Sequence, residues 1–163
     1  MESNKKIISL IAKNGEKIDI SLKAALRSGL INMNIELNPD SKEIPLNVEF
    51  NILKKIIEYL EHYENEEPKE IERPLPSTNF KDCVEEWDYN FIGNDTEFIN
   101  QIILASNYLD IKPLLELSSS ALTSQIKGKT TQEIRKLFNI TNDFTPEEEQ
   151  QIIEENKWCM ENL

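Results

Sequence analysis

The chain has 163 residues, enough for one domain with its own core, or one domain plus a helical extension. Its formal net charge is -12, from 18 basic and 30 acidic residues. This argues against nucleic acid or an anionic membrane as partner, because phosphate binding needs clustered Lys and Arg. From Lys6 to Ala12 the chain reads as a β run of Ile, Ser and Leu. Asn14-Gly15 is a two-residue hairpin signal, since both positions tolerate positive φ. Lys17 to Ile20 alternates, with Ile18 and Ile20 on one face, and Ser21 can cap a short helix that stops at Gly29. Residues 30–43 are Asn-rich and polar, and the alternation of Ile31, Met33, Ile35 and Leu37 points to an extended piece. A third short strand is expected around Glu43–Leu46.

Asn47 is the expected cap of a helix whose buried stripe is Ile52, Leu53, Ile56, Ile57 and Leu60. Glu64 to Glu86 is rich in Glu, Pro and Asn, and Pro68, Pro74 and Pro76 exclude a long helix. It reads as a flexible acidic linker, about 64–86, with Trp87 anchoring the return of order. Asp95 or Thr96 caps the next helix, whose inner side carries Phe98, Ile99, Ile102, Ala105 and Leu109. At about 100° per residue, Leu104, Asn107 and Tyr108 form a small patch turned away from that side. Another helix runs from Pro113 to about Ile126, with Leu114, Leu115, Leu117, Ala121 and Leu122 as its apolar members.

The stretch from Ile126 to Cys159 holds two short helices with their own start signals. Thr130 or Thr131 can cap the first, which places Ile134, Leu137 and Phe138 on one stripe. Thr145, Pro146 and Glu148 form a capping box with proline at the first helical position, and Glu147–Glu149 put negative charge at the positive end of the dipole. Ile152, Ile153, Trp158, Cys159 and Met160 are then a surplus of apolar surface for so short a subdomain.

No catalytic constellation stands out. Four glycines are scattered singly, and no Ser-His-Asp, Cys-His or metal-ligand spacing exists, so neither an active site nor a cofactor is expected. The one histidine, His62, sits among Glu61, Tyr63 and Glu64 and reads as a solvated helix-end residue. Cys83 and Cys159 are far apart in sequence and suit a reducing compartment. The opening MESNKKIISLIAK has no apolar run long enough for a signal peptide or a membrane span.

ILKKIIEYL, WDYNFI, LASNYLDIKPLL, IKGKTTQEIRKLFNI and NDFTPEEEQQIIEENKWC resemble the S-phase kinase-associated protein family, the adaptors of SCF ubiquitin ligases. The resemblance covers almost the whole chain and is weakest over residues 30–42 and 64–86. It implies an α+β, mostly helical BTB/POZ fold, a small three-stranded sheet with flanking helices, over residues 1–125. It further implies a C-terminal helical extension over 126–163. The implied role is a non-catalytic bridge, cytoplasmic and nuclear, between a cullin and F-box substrate receptors. The family's cullin-binding Asn-Tyr pair falls on Asn107 and Tyr108, with Leu104 beside them. The implied F-box face draws on Ile126, Ile134, Leu137, Phe138, Ile152, Trp158 and Cys159. Ile153 departs from the family, which usually carries a charged residue there. Pro146, in the context DFTPEEE, resembles a proline that some protist members hydroxylate and then glycosylate. Exposed apolar surface of this kind also makes a homodimer an expectation for the free protein. Alternatives are a self-associating BTB/POZ scaffold and an elongin C-like adaptor, although elongin C-like chains lack the C-terminal extension.

Overall fold

The computed structural model describes residues 6–77 and 79–157. The chain divides into two compact units, Met1–Lys127 and Gly128–Leu163.

The first unit begins with β1 (Ile7–Ile11) and β2 (Lys17–Ser21), paired antiparallel with Leu10 opposite Ile18. The connection is longer than the two-residue turn expected. The Gly15 N–H donates to the Ala12 carbonyl (2.9 Å) and the Ala12 N–H to the Glu16 carbonyl (2.8 Å). In this turn only Gly15 takes positive φ, at 85°. Asn14 serves through its side chain instead, accepting from the Glu16 N–H at 3.1 Å.

Ser21 caps α1 (Leu22–Ala25) through the Ala24 N–H, as expected. Gly29, however, opens a helix rather than closing one. α2 spans Gly29–Leu37, where an extended piece was expected. Its cap is Ser28, whose hydroxyl accepts from the Ile31 N–H and donates to the Leu109 carbonyl at 2.6 Å. The free N–H groups of the first turn find tertiary partners: Gly29 donates to the Asp110 carbonyl (3.1 Å) and Leu30 to the Leu109 carbonyl (3.2 Å). Space is tight at position 29: a Cβ there would lie 2.1 Å from the Asp110 Oδ2, so the exposed carboxylate would have to turn away, and 3.0 Å from the Asp110 Cβ, which has less room to move. Gly29→Ala is therefore expected to destabilise the protein by about 2 kcal/mol, against a helix-propensity gain of up to about 1 kcal/mol. A chemical-denaturation midpoint equal to wild type would refute this.

β3 (Glu43–Pro45) joins β1 in parallel, with Leu10 opposite Ile44, giving the strand order β2-β1-β3. One sheet face, with Ile8, Leu10, Ile20 and Ile44, is buried in the core. α3 (Phe50–His62) starts later than expected. Its N-cap is Glu49, without a side-chain cap bond, rather than Asn47, and Val48 is buried just ahead of it. The expected stripe of Ile52, Leu53, Ile56, Ile57 and Leu60 is buried throughout, together with Tyr59 and Tyr63.

From Glu64 to Glu85 the described chain is irregular apart from a short 3-10 turn at Phe80–Asp82. It leans on the domain at several points. Arg27 pairs with Glu67 (3.0 Å) and Arg73 with Glu116 (2.8 Å), while Lys69 and Glu85 pair within the segment itself (2.5 Å). Ile71 and Phe80 pack on the core. α4 (Glu86–Ile92) then lays Trp87 and Phe91 against the end of α3. The Trp87 ring stacks on the exposed His62 ring, with centroids 3.6 Å apart, and the Tyr63 hydroxyl donates to the buried Asp88 at 2.8 Å.

α5 (Thr96–Tyr108), capped by Asp95, and α6 (Lys112–Ile126) form the principal helix pair. Ile99, Ile102, Leu109, Ile111, Leu114 and Leu117 are buried in the core. The second unit holds α7 (Thr131–Leu137) and α8 (Pro146–Glu155).

Candidate protein-interaction surfaces

The first surface lies on α5. Leu104, Asn107 and Tyr108 are all exposed, as the helical spacing predicts, while their neighbours Ala105, Ser106 and Leu109 are buried. Leu104 is 72% exposed, a large fraction for a leucine on a core helix. Leu104 and Tyr108, one turn apart, line a groove of about 260 Å³ with Asn47, Val48 and Ile52. The Tyr108 hydroxyl accepts from the Asn47 backbone N–H at 3.4 Å, which aims the ring along the groove. Lys13 and Glu49, paired at 3.1 Å, form part of its lining. Asn107 stands outside the groove lining and faces solvent. The arrangement is an apolar strip with a phenol and an amide at its edge, suited to an apolar helix face rather than to a reactive small molecule.

The second surface belongs to the second unit. Both helices carry full capping boxes. The Thr130 hydroxyl accepts from the Glu133 N–H while Glu133 accepts from the Thr130 N–H, and Thr145 and Glu148 repeat the arrangement. Of the caps left open by the sequence, Thr130 is the one used. Pro146 is exposed at the first helical position of α8. Arg135 of α7 donates to Glu149 of α8 at 2.8 Å and lies over the Phe144 ring, 5.9 Å from its centroid.

No described residue of 128–157 is buried. Ile134, Leu137 and Phe138 are half-buried, and Ile152 is exposed. Ile126 is half-buried at the last position of α6, in the first unit. Trp158 and Cys159 lie outside the described residues. Ile140, Phe144 and Ile153 add exposed apolar surface to the unit, of which only Ile153 was singled out from the sequence. Ile140 and Phe144 sit in the connection between helices, where no helical period marks them. The signal available was their apolarity itself, between Asn139 and Thr145.

The shifted carboxylates of the two units respond to pH in opposite senses. Glu133 is held below the ordinary carboxylate range, chiefly by the hydrogen bond from the Thr130 backbone N–H. Glu149 is lowered too, chiefly by the hydrogen bond from Arg135. Stability from such groups is present above their unfolded-state value and is lost as pH falls through the lowered one. Asp88 is raised, because burial outweighs the hydrogen bond from Tyr63. Its contribution is present below the ordinary value and is lost as pH rises through the raised one. Acidification from about pH 6 toward about pH 3 is therefore expected to open α7 and α8 before α3 and α4. Amide-exchange protection followed by residue checks this, and loss of protection at Tyr63 before Glu133 would contradict it.

Among the described residues no group of three or more His, Cys, Asp or Glu side chains could hold a metal ion. No described helix is long and apolar enough to cross a membrane.

A small three-stranded sheet with flanking helices, an exposed apolar strip and an appended helical unit whose described residues include no buried one define a protein-binding module of the BTB/POZ class. Residues 6–65 match the Skp1 family tetramerisation domain, and residues 112–159 match the Skp1 family dimerisation domain. The chain belongs to the Skp1 family. It is 45% identical to the S-phase kinase-associated protein 1 homolog of Tetrahymena thermophila, over 99% of this chain and 98% of that protein. It is 44% identical to the E3 ubiquitin ligase complex SCF subunit sconC of Arthroderma benhamiae, over 94% and 95%. With the suppressor of kinetochore protein 1 of Schizosaccharomyces pombe it shares 44% identity, over 93% and 96%.

Proposed function

We propose that this chain is the adaptor subunit of an SCF E3 ubiquitin ligase, joining a cullin to F-box substrate receptors without performing catalysis itself. The observation that carries the reading is the second unit, whose described residues include many apolar side chains and no buried one. Such a surface is half of an interface, and its other half lies on another chain. The strip of Leu104, Asn107 and Tyr108 is the cullin side, and Ile126, Ile134, Leu137, Phe138 and Ile152, with Trp158 and Cys159, form the receptor side. The adaptor contributes effective concentration and orientation, holding a substrate receptor and the ubiquitin-transfer machinery on one particle.

In the free protein the same apolar surface pairs two copies, and the receptor displaces the second copy. The acidic balance keeps nucleic acid and anionic membranes out of its partner set. The protein works in the cytoplasm and nucleus, where its partners act. Pro146, exposed at the start of α8, is in addition a site for hydroxylation and glycosylation. Intact mass of the native protein tests that assignment, and an unmodified mass removes it.

Affinity purification with mass spectrometry of bound proteins tests the main reading. Recovery of a cullin together with F-box proteins is expected. Recovery of the homodimer alone would favour a self-associating scaffold.

A further inference from the structure

The first unit holds a cavity that neither surface above uses. It measures about 360 Å³ and lies between the irregular segment at residues 67–71, Tyr59 of α3, Asp88 of α4 and the start of α6. Pro68, Ile71, Pro113 and Leu117 give it apolar walls. Two deeply buried polar side chains line it as well, Tyr59 at 2% exposed and Asp88 at 6%. The Tyr59 hydroxyl makes no hydrogen bond among the described residues. Asp88 accepts from Tyr63 at Oδ1, while its Oδ2 has no partner among them. No described side-chain oxygen or nitrogen that is sealed from solvent lacks a partner, so both free atoms keep access to open space. The cavity is the open space that the two side chains share.

Asp88 indicates what is missing. A carboxylate buried this deeply is ordinarily paired with a cation, and no Lys, Arg or His bridges to it among the described residues. Burial holds its carboxyl above the ordinary range, as expected of a charge without a counter-ion. The other charges of the lining are largely satisfied. Glu67 is paired with Arg27, Glu116 with Arg73 and Lys69 with Glu85. Glu70 and Lys112 remain, both exposed and of opposite sign.

We propose that this cavity binds a small alkylammonium ion, whose nitrogen donates to Asp88 Oδ2 and to the Tyr59 hydroxyl and whose hydrocarbon chain lies along Pro68, Ile71, Pro113 and Leu117. A primary ammonium carries three donors, enough for both free oxygens with one left for water. Its hydrogen bond to a desolvated carboxylate is charge-assisted and so among the stronger kinds. The strongly acidic chain as a whole draws cations toward it. The irregular segment thereby becomes a wall of a ligand site rather than a spacer between α3 and α4.

The test is an NMR titration of the isotope-labelled full-length chain with n-butylamine near neutral pH, where the amine is charged. n-Butanol, of the same length but neutral, and sodium chloride at matching concentration are the controls. Butylamine should give saturable amide shifts at Tyr59, Ile71 and Asp88, and butanol should bind at least about tenfold more weakly. Tyr59→Phe removes a hydroxyl that bonds nothing within the described protein. Its thermal melt should therefore match wild type, while its butylamine affinity falls about threefold. Asp88→Asn keeps an acceptor for Tyr63 and removes the charge, and should cost about tenfold in affinity. If that variant does not fold, Tyr59→Phe and the butanol comparison still decide. A capped lysine amide, titrated in parallel, separates the two sources of such an ammonium. Tighter binding of the capped lysine assigns the site to a peptide side chain, and tighter binding of butylamine assigns it to a free amine. Shifts that do not saturate, equal affinity for butylamine and butanol, or unchanged amine affinity in both variants overturns the proposal.

Discussion

Ending the chain at Lys127 is expected to abolish F-box binding and to leave cullin binding unchanged. Every buried hydrophobic side chain among the described residues, from Ile8 to Ala121, lies in the first unit. The deletion therefore removes no core, and the melting midpoint should move by no more than about 4 °C. What it removes is the helical pair whose described apolar residues are at most half-buried. Titration calorimetry with an F-box domain, and separately with a cullin N-terminal fragment, reads the two faces independently. Retention of normal F-box affinity by the shortened chain would show that the second unit is not the receptor face.

The second large effect is expected at Leu104. At 72% exposed, this side chain supports nothing in the free protein, so Leu104→Glu should leave stability within about 0.5 kcal/mol of wild type. A carboxylate in the centre of an apolar strip would instead face desolvation against the cullin. A loss of about 30-fold, corresponding to about 2 kcal/mol, is expected for a central interface residue. F-box affinity should not change. Tyr108→Phe is the gentler companion, since it keeps the ring and removes only the hydroxyl that accepts from Asn47 at 3.4 Å. An L104E protein that binds the cullin as tightly as wild type would place the cullin face elsewhere.

The helices that were legible in the sequence are those that local chemistry specifies. α5 and α8 announce themselves through caps, α3 through its apolar period, and the outward turn of Leu104, Asn107 and Tyr108 follows from spacing alone. α2 was misread because Ile31, Met33, Ile35 and Leu37 fall by chance at a period of two, in an Asn-rich stretch. The decisive information is tertiary: carbonyls of Leu109 and Asp110 satisfy its first turn, and no local pattern contains them. That misreading also hid Met33 and Leu37, which are exposed on α2. α4 escaped notice because it is seven residues long and its N-cap, Glu85, makes no side-chain cap bond. The shift of the α3 start from Asn47 to Glu49 has a similar origin, since burial of Val48 rather than a capping side chain sets where the helix begins.

The two capping boxes of the second unit have a further consequence. Thr130 with Glu133, and Thr145 with Glu148, specify where each helix starts from within its own first turn. Among the described residues the hydrogen-bonded tie between the helices is Arg135 with Glu149, and Ile134, Leu137 and Phe138 are half-buried. The start of each helix is thus settled before any encounter, and a partner chain can complete the burial of their half-covered apolar side chains. A receptor then spends little of its affinity on forming helices whose starts are already set.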